Sequence, residues 1–271
     1  ANSSMYAASA SHWQRRALRA VAITLLCAAL MASCAAAPPA RPADGSKSAG
    51  ATRRPTAHSS PRPVTSGAPT PDSAMGSRLL RLLARVPTTA GTPYQPGYDR
   101  SCSPGHACAF GVEWTDDHPG PFGHNGCDTR QDVLLQQMHD IEMRWGSECR
   151  IYEAALADPY TGEELTWRDD GYWIQIDHVY PLAEAWHAGA WRWPQSRRLL
   201  FANDVRRNLL AVTSRANYEK GSATPSEWLP PNRGFQCRYV TKYLRVALAY
   251  DLTITDADAA SEDAQKVLFG A

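Results

Sequence analysis

Five polar residues in the second half of the chain are of the types that can hydrolyse a phosphodiester. Asp177 and His178 end an alternating apolar segment, and Asn208 stands directly before a second apolar segment. Asn217 and Lys220 follow on a short stretch of helical pattern. A carboxylate and an amide suit a hard cation, a histidine can take a proton from water, and a lysine can offset phosphate charge. Together they indicate a candidate one-metal hydrolytic site.

Each of the five residues also has an ordinary structural interpretation. An Asp-His pair such as Asp177 and His178 is commonly a surface hydrogen bond, and either asparagine alone would be a turn or cap residue. Lys220 stands where a cation stabilises the C-terminal end of a helix. It also lies three residues after Asn217, about one helical turn, so the two can share a face. Only the joint pattern favours the chemical role.

Two strands and a helix are expected to position these side chains. Residues 172–177 alternate Tyr, Ile and Ile with Trp and Gln, which is the pattern of a strand, and a second strand is predicted over 209–212. A helix is predicted over 214–220, with Ser214 as its N-cap and Gly221 closing it. Strand, insertion, strand and helix therefore frame the polar residues.

The rest of the folded region is predicted to mix helices and strands, which makes the fold class α+β. The Gly/Pro-rich segment 92–126 is predicted to be a loop and 158–162 a turn between strands. The outer face of the last helix carries Arg238, Lys242 and Arg245, which either touch phosphates or are simply solvated. Helical spacing predicts helices over 77–86, from Asp128 or Thr129 to about 145, and over 182–188, 195–202 and 237–250.

Short motifs follow one another in a fixed order between residues 95 and 250. In order they are GCDTR at 126–130, DPYTG at 158–162, IQIDHV at 174–179, FAND at 201–204, NLLAV at 208–212, ANYEKG at 216–221 and EWLPP at 227–231. This ordered set resembles the exported HNH endonuclease family, which is related to the C-terminal domain of the GmrSD restriction endonucleases.

The resemblance implies a ββα-metal (HNH, or His-Me finger) core with surrounding helices, in which two strands and a helix clasp one divalent ion. It assigns His178 as general base, Asp177 and Asn217 as metal ligands and Asn208 as the brace of the loop that holds the histidine. Many members of the wider superfamily place a histidine where Asn217 stands. Oxygen ligands favour Mg²⁺ or Mn²⁺ over Zn²⁺. Lys220, and secondarily Arg130, would offset phosphate charge.

The first 76 residues predict an exported protein with a tether. Residues 1–34 combine a basic lead-in, a short apolar run and small residues, which is typical of a secretory signal. Residues 30–34 look like a bacterial lipobox, with Cys34 as the lipidated residue and the only link to a membrane, although simple secretion remains open. Residues 35–76 are rich in Pro, Ala, Ser and Thr and are predicted to be a disordered tether, followed by a nuclease domain over 77–271.

Charge argues against strong binding of bulk nucleic acid. The whole chain has a net charge of +1, but residues 76–271 carry 20 basic and 25 acidic side chains, a net of −5. Phosphate neutralisation dominates affinity for nucleic acid, so an acidic domain is not an obvious binder. Metal-dependent nucleases do concentrate acids at their sites, so the charge weakens the nuclease hypothesis without excluding it.

The cysteines of the folded region are consistent with export. Five are present, and outside the cytoplasm they are expected to pair, with one left free or intermolecular. A local bridge between Cys102 and Cys108 is plausible, and other partners stay open. A zinc site drawn from cysteines and histidines of 102–127 is the alternative, but its spacing matches no paired-ligand template. The disulfide candidates are Cys102, Cys108, Cys127, Cys149 and Cys237.

Three functions remain open at this point. The first is an exported or membrane-anchored endonuclease that uses one divalent metal ion to cut nucleic acid, with DNA the expected substrate. The second is a non-catalytic surface lipoprotein on a nuclease scaffold. The third is another exported metal-dependent phosphoester hydrolase.

Overall fold

The computed structural model describes residues 71–168 and 173–260, with side chains described from residue 77 onward. The predicted signal segment 1–34 with Cys34, and nearly all of the predicted tether 35–76, lie outside the described residues. In chain order the elements are α1 Pro71–Leu83, β1 Thr88–Thr89, α2 Thr129–Gln137, β2 His139–Met143, β3 Ile151–Ala157, β4 Glu164–Arg168, β5 Ile174–His178, α3 Leu182–His187, a 3₁₀ turn Ala190–Arg192, α4 Gln195–Ala202, β6 Leu209–Thr213, α5 Ser214–Lys220, α6 Arg233–Tyr250 and β7 Ile254–Thr255.

The described strands form three small sheets rather than one. β2, β3 and β4 make an antiparallel three-stranded sheet, β5 and β6 make an antiparallel pair, and the short β1 and β7 pair in parallel. Helices pack between and around them. The predicted mixed α+β class is therefore confirmed.

The β5–β6 pair separates two hydrophobic clusters. Ile174 and Ile176 of β5, with Leu209 and Ala211 of β6, face a cluster that α2, β3 and β4 complete. Residues 175, 177, 210 and 212 alternate to the opposite face, because successive strand residues point to opposite sides. That second face meets the larger cluster built around α6.

The long helix α6 is the centre of the larger cluster. Apolar residues at helical spacing, 240, 243, 244, 247 and 248, predict its inward face; the first four side chains are buried and Leu248 is partly buried. The helix begins at Arg233, four residues earlier than predicted, and ends at Tyr250 as predicted. Tyr180 stacks on Tyr243 with ring centroids 4.6 Å apart, so the segment after His178 rests directly on α6.

The helix predicted from residue 128 to about 145 is wrong in its second half. α2 ends at Gln137, the backbone of Met138 is extended, and residues 139–143 form β2. The helical spacing of 138, 141 and 145 is coincidental, since Trp145 is 99% exposed. Antiparallel pairing with β3 satisfies the backbone of this segment, and that long-range pairing outweighs local helical propensity.

One disulfide closes a turn in the loop segment before α2, and another ties the end of that segment to the β2–β3 connection. Cys102 pairs with Cys108, as was plausible from the sequence, and Cys127 pairs with Cys149 across 22 positions. Cys237 is buried in α6. The zinc alternative is wrong because its three cysteines are oxidised in these bridges. Of the helices that the structure describes, none is long and apolar enough to span a bilayer.

The two bridges should contribute unequally to stability. The Cys127–Cys149 bridge spans 22 positions and the Cys102–Cys108 bridge only 6. Constraint of the unfolded chain then predicts a loss of about 3 kcal/mol for Cys127→Ser/Cys149→Ser and about 2 kcal/mol for Cys102→Ser/Cys108→Ser. Urea unfolding without reductant measures both, and a larger loss for the shorter loop would contradict the prediction.

Candidate active site

The candidate site forms where β5 ends beside β6 and α5. Asp177 and His178 are the last two residues of β5, so their side chains leave the strand on opposite faces. Both are buried, Asp177 to 4% and His178 to 8% exposure. Asn208 comes immediately before β6, while Asn217 and Lys220 lie on α5. The structure thus brings all five sequence-selected residues into one region.

Asp177 is held by two buried donors. The ammonium of Lys220 donates to Asp177 Oδ1 over 2.8 Å and to the carbonyl of His178 over 2.9 Å. The hydroxyl of Tyr160 donates to Asp177 Oδ2 over 2.5 Å. Burial, followed by the negative charge of Asp177, raises the pKa of Tyr160 well above its usual range, so the phenol keeps its proton.

This contact changes the role expected for Lys220. Its side chain is fully buried against Asp177, so it has no exposed atom to offer a substrate phosphate. Helical spacing correctly predicted that Lys220 and Asn217 lie on the same face of α5. It does not show which groups pack against that face. In this arrangement Lys220 balances the charge of Asp177 and ties the end of α5 to β5.

His178 is a neutral base with a fixed tautomer. Its Nε2 lies 2.8 Å from the carbonyl oxygen of Ala202, which can only accept, so Nε2 carries the hydrogen and Nδ1 keeps its lone pair. Burial, followed by the positive charge of Arg100, lowers the pKa of His178 to about 3. The ring of Trp114 stacks on the imidazole with centroids 5.4 Å apart.

Asn208 holds the chain that follows the histidine. Its Oδ1 accepts from the backbone N–H of Tyr180 over 2.8 Å, and its Nδ2 donates to the carbonyl of Tyr180 over 3.2 Å. The backbone carbonyl of Asn208 also accepts from Val179. These three bonds extend the β5–β6 ladder past the end of the strand, which is the geometry that a bracing residue requires.

Asn217 and His178 line the same cavity, which has a volume of about 280 Å³. Asn217 Nδ2 donates to Oε1 of Gln175 over 2.8 Å, which fixes the orientation of the amide. Its oxygen accepts no hydrogen bond from the described residues and remains available to a ligand. Asp177 and Arg100 also line this cavity.

The donor set is compatible with a hard divalent ion. A carboxylate has about four lone-pair positions, and the two donors on Asp177 leave the others available. Mg²⁺ typically uses one or two protein oxygens and completes its shell with water and substrate phosphate. Asp177 and Asn217 supply such a pair. Among the described residues, no group of three or more His, Cys, Asp or Glu is arranged to hold a metal.

Arg130 lies at the other end of β5. Its guanidinium donates to the carbonyl of Ile174 over 2.9 Å and lies over the ring of Trp167 at 5.4 Å. Ile174 and His178 are the first and last of the five residues of β5, so these contacts support the start of the strand. Of the two predicted starting residues of α2, Asp128 is the N-cap, and its side chain accepts from the backbone N–H of Gln131.

Sequence reasoning missed Arg100, Trp114 and Tyr160. Arg100 pairs with Glu113 and lines the cavity beside His178. The first two lie in the loop segment 92–126, which has no periodic pattern to indicate a site. The Cys102–Cys108 spacing, which predicted a closed turn beside Arg100, was the only local signal. Tyr160 belongs to the predicted turn 158–162, and its contact with Asp177 spans 17 positions.

Comparison with known proteins relates the chain to a nuclease family. A family model described as the C-terminal domain of GmrSD restriction endonucleases matches residues 128–261. A protein of Arthroderma benhamiae described as an uncharacterized secreted protein is 30% identical over 204 residues, covering 75% of this chain and 89% of that protein. No solved structure matches. The fold and the site thus define a nuclease-related α+β domain. More particularly, the chain belongs to the family of the GmrSD restriction endonuclease C-terminal domain.

The neutral state of His178 should make the fold sensitive to acid. The pKa of His178 is about 3 in the folded chain and near 6.5 when exposed, so between these values only the unfolded chain takes up the proton. Its contribution to stability is therefore complete above pH 6.5 and is lost as pH falls toward 3. In EDTA, the free energy of unfolding should fall less steeply over pH 4–6 for His178→Gln than for the unaltered protein. The two slopes should differ by up to about 1.4 kcal/mol per pH unit. Parallel slopes for the two proteins would refute a neutral buried imidazole.

Removal of Lys220 should destabilise the fold strongly. Lys220→Met leaves the buried carboxylate of Asp177 without its cation, and breaking a buried pair from one side costs roughly 3–5 kcal/mol. Arg215→Gln is the matched control, because it breaks the exposed ion pair with Glu219 on the same helix. Chemical denaturation compares the two variants, and equal losses would contradict a special role for the buried pair.

Proposed function

We propose that the protein is an exported, metal-dependent endonuclease of HNH type that hydrolyses phosphodiester bonds of DNA. The observation that carries the proposal is the state of His178. Its Nε2 is committed to the carbonyl of Ala202, so Nδ1 is an unprotonated acceptor beside a cavity that Asp177 and Asn217 also line. Membership of a restriction-endonuclease family supports nucleic acid as substrate.

The element order supports a ββα-metal core. β5 and β6 are antiparallel, α5 follows β6 without an intervening loop, and the candidate base ends β5. The candidate metal oxygens come from β5 and α5, so a cation held between them would be clasped by a strand and a helix.

In this mechanism His178 takes a proton from the attacking water at Nδ1. Trp114 and the carbonyl of Ala202 hold the imidazole in one orientation, so the base needs no rearrangement. A divalent ion held by Asp177 and Asn217 would supply Lewis-acid stabilisation of the phosphorane charge.

Arg100 is the proposed partner of the scissile phosphate in place of Lys220. It is paired with the exposed Glu113, and its side chain is 45% exposed. A guanidinium can bind two phosphate oxygens at once, and exchange of one carboxylate for a phosphate costs little at an exposed pair.

Export is supported by independent observations. The relative from Arthroderma benhamiae is described as secreted, and two disulfides join described cysteines. The signal-like segment 1–34 agrees with this. A lipid anchor at Cys34 rests on the lipobox pattern alone.

A non-catalytic scaffold is the second candidate, and one observation favours it. The buried Lys220 already neutralises Asp177, so the carboxylate does not require a metal to be stable. Such a protein would bind neither Mn²⁺ nor Mg²⁺ in calorimetry. A phosphoester hydrolase of other specificity would cleave small phosphodiesters while leaving DNA intact.

Plasmid cleavage tests the nuclease proposal directly. The purified chain should nick supercoiled DNA with Mg²⁺ or Mn²⁺ and lose this activity in EDTA. His178→Ala should lower the rate by at least about 100-fold, the usual contribution of a general base. His139→Ala, at an exposed position of β2, is the control and should cleave normally. Full activity in His178→Ala with a native circular dichroism spectrum would end the proposal.

A further inference from the structure

A second cavity, which we call the α6 cavity, is lined by basic side chains. It has a volume of about 460 Å³, and none of the described residues that line it carries a carboxylate. Its cations come from α1, from the α4–β6 loop and from the outer face of α6. They are Arg78, Arg206, Arg207, Arg238, Lys242 and Arg245.

This concentration of positive charge contrasts with the charge of the domain. Residues 76–271 carry a net charge of −5, yet six cations meet here. Arg78, Arg238 and Arg245 form no ion pair within the described residues, while Arg207 pairs with the buried Asp204 over 3.3 Å. Six like charges with one neighbouring carboxylate, Asp204, still repel each other, so an anionic ligand would relieve an existing electrostatic cost.

The shape and lining of the α6 cavity suit a phosphate chain. Guanidinium groups form planar, two-point hydrogen bonds to phosphate oxygens. Lys242 is held in place by its hydrogen bond to the carbonyl of Arg206 over 3.0 Å. The half-buried Leu210 and Phe235 also line the cavity and provide an apolar floor. A concave site of this kind admits a strand, whereas a flat bilayer surface would reach only its rim.

The α6 cavity borders the strand pair that carries the candidate active site. Leu210 of its floor is the direct cross-strand partner of Asp177. Partners of this kind have Cα atoms about 5 Å apart and point to the same face of the sheet. A polymer bound at the active site could therefore extend into the α6 cavity, whereas a mononucleotide is too short to reach it.

We propose that the α6 cavity binds backbone phosphates of a nucleic acid substrate away from the bond that is cut. The inference rests on the proposed nuclease function and assigns it a second subsite. This subsite supplies local affinity for phosphate that the net charge of the domain does not supply. It also favours long substrates over short ones. The basic face of α6 is then a binding surface rather than a solvated one.

The test compares two pairs of arginines in the full chain. Arg238→Gln/Arg245→Gln removes two charges from the α6 cavity, and Arg150→Gln/Arg192→Gln removes two exposed charges outside it. Both are placed in the His178→Ala background with EDTA, and binding of labelled duplex DNA is followed by anisotropy over a range of salt concentrations. The cavity variant should bind roughly tenfold more weakly at low salt. The slope of log K against log salt should fall in magnitude by about two. The control pair should change both quantities much less.

Further measurements separate this inference from the nuclease proposal. With His178 intact, Arg238→Gln/Arg245→Gln should hydrolyse bis(p-nitrophenyl) phosphate at the unaltered rate while losing efficiency on DNA. If the two double variants bind DNA equally well, the subsite proposal is overturned. This holds even if the loss of cleavage in His178→Ala has supported the nuclease proposal. Conversely, an active His178→Ala protein would defeat the proposed catalysis and leave the binding result standing. Loss of binding to anionic phospholipid vesicles with unchanged DNA binding would also overturn the subsite.

Discussion

The buried contact of Lys220 with Asp177 fixes the relative positions of three segments. Lys220 closes α5, Asp177 ends β5, and Tyr160 brings the 158–162 turn to the same carboxylate. Removing two charges from water is costly, so the pair is tolerated only because hydrogen bonds satisfy it from both sides. The additional bond from Lys220 to the carbonyl of His178 links this geometry directly to the candidate base.

The same strand end separates two electrostatic environments. Asp177 enters the polar contact with Lys220, while His178 turns to the opposite face and stacks on Trp114. Burial keeps the histidine neutral, and the Ala202 carbonyl determines which nitrogen is free. A one-residue shift of the strand would exchange the two environments, so the register with β6 is as important to the site as the residue types.

Local patterns predicted the elements that carry the site, but not all that surrounds it. The helix at 195–202 begins and ends where its sequence pattern places it, and α5 ends at Lys220 with Gly221 at φ 54° closing it, as predicted. The predicted N-cap Ser214 is wrong by one residue: Thr213 is the N-cap and Ser214 is the first residue of α5. These helices are short and amphipathic, so residues close together in the sequence are enough to predict them. The prediction of a helix beyond Gln137 was wrong because the segment pairs with β3, and local sequence patterns do not show such long-range pairing. Arg100 and Trp114 were missed for the same reason, since loop geometry decides what they touch.

Net charge is a poor guide to how this domain could meet a polyanion. The value of −5 for residues 76–271 averages over the whole surface, whereas screening confines each charge to about 10 Å in 0.1 M salt. A phosphate entering the α6 cavity would interact mainly with the cations that line it, and acids on distant faces would contribute little. The acidic excess would act chiefly by repelling nucleic acid from the rest of the surface. It would then restrict binding to the basic cavity and the adjoining strand end instead of preventing it.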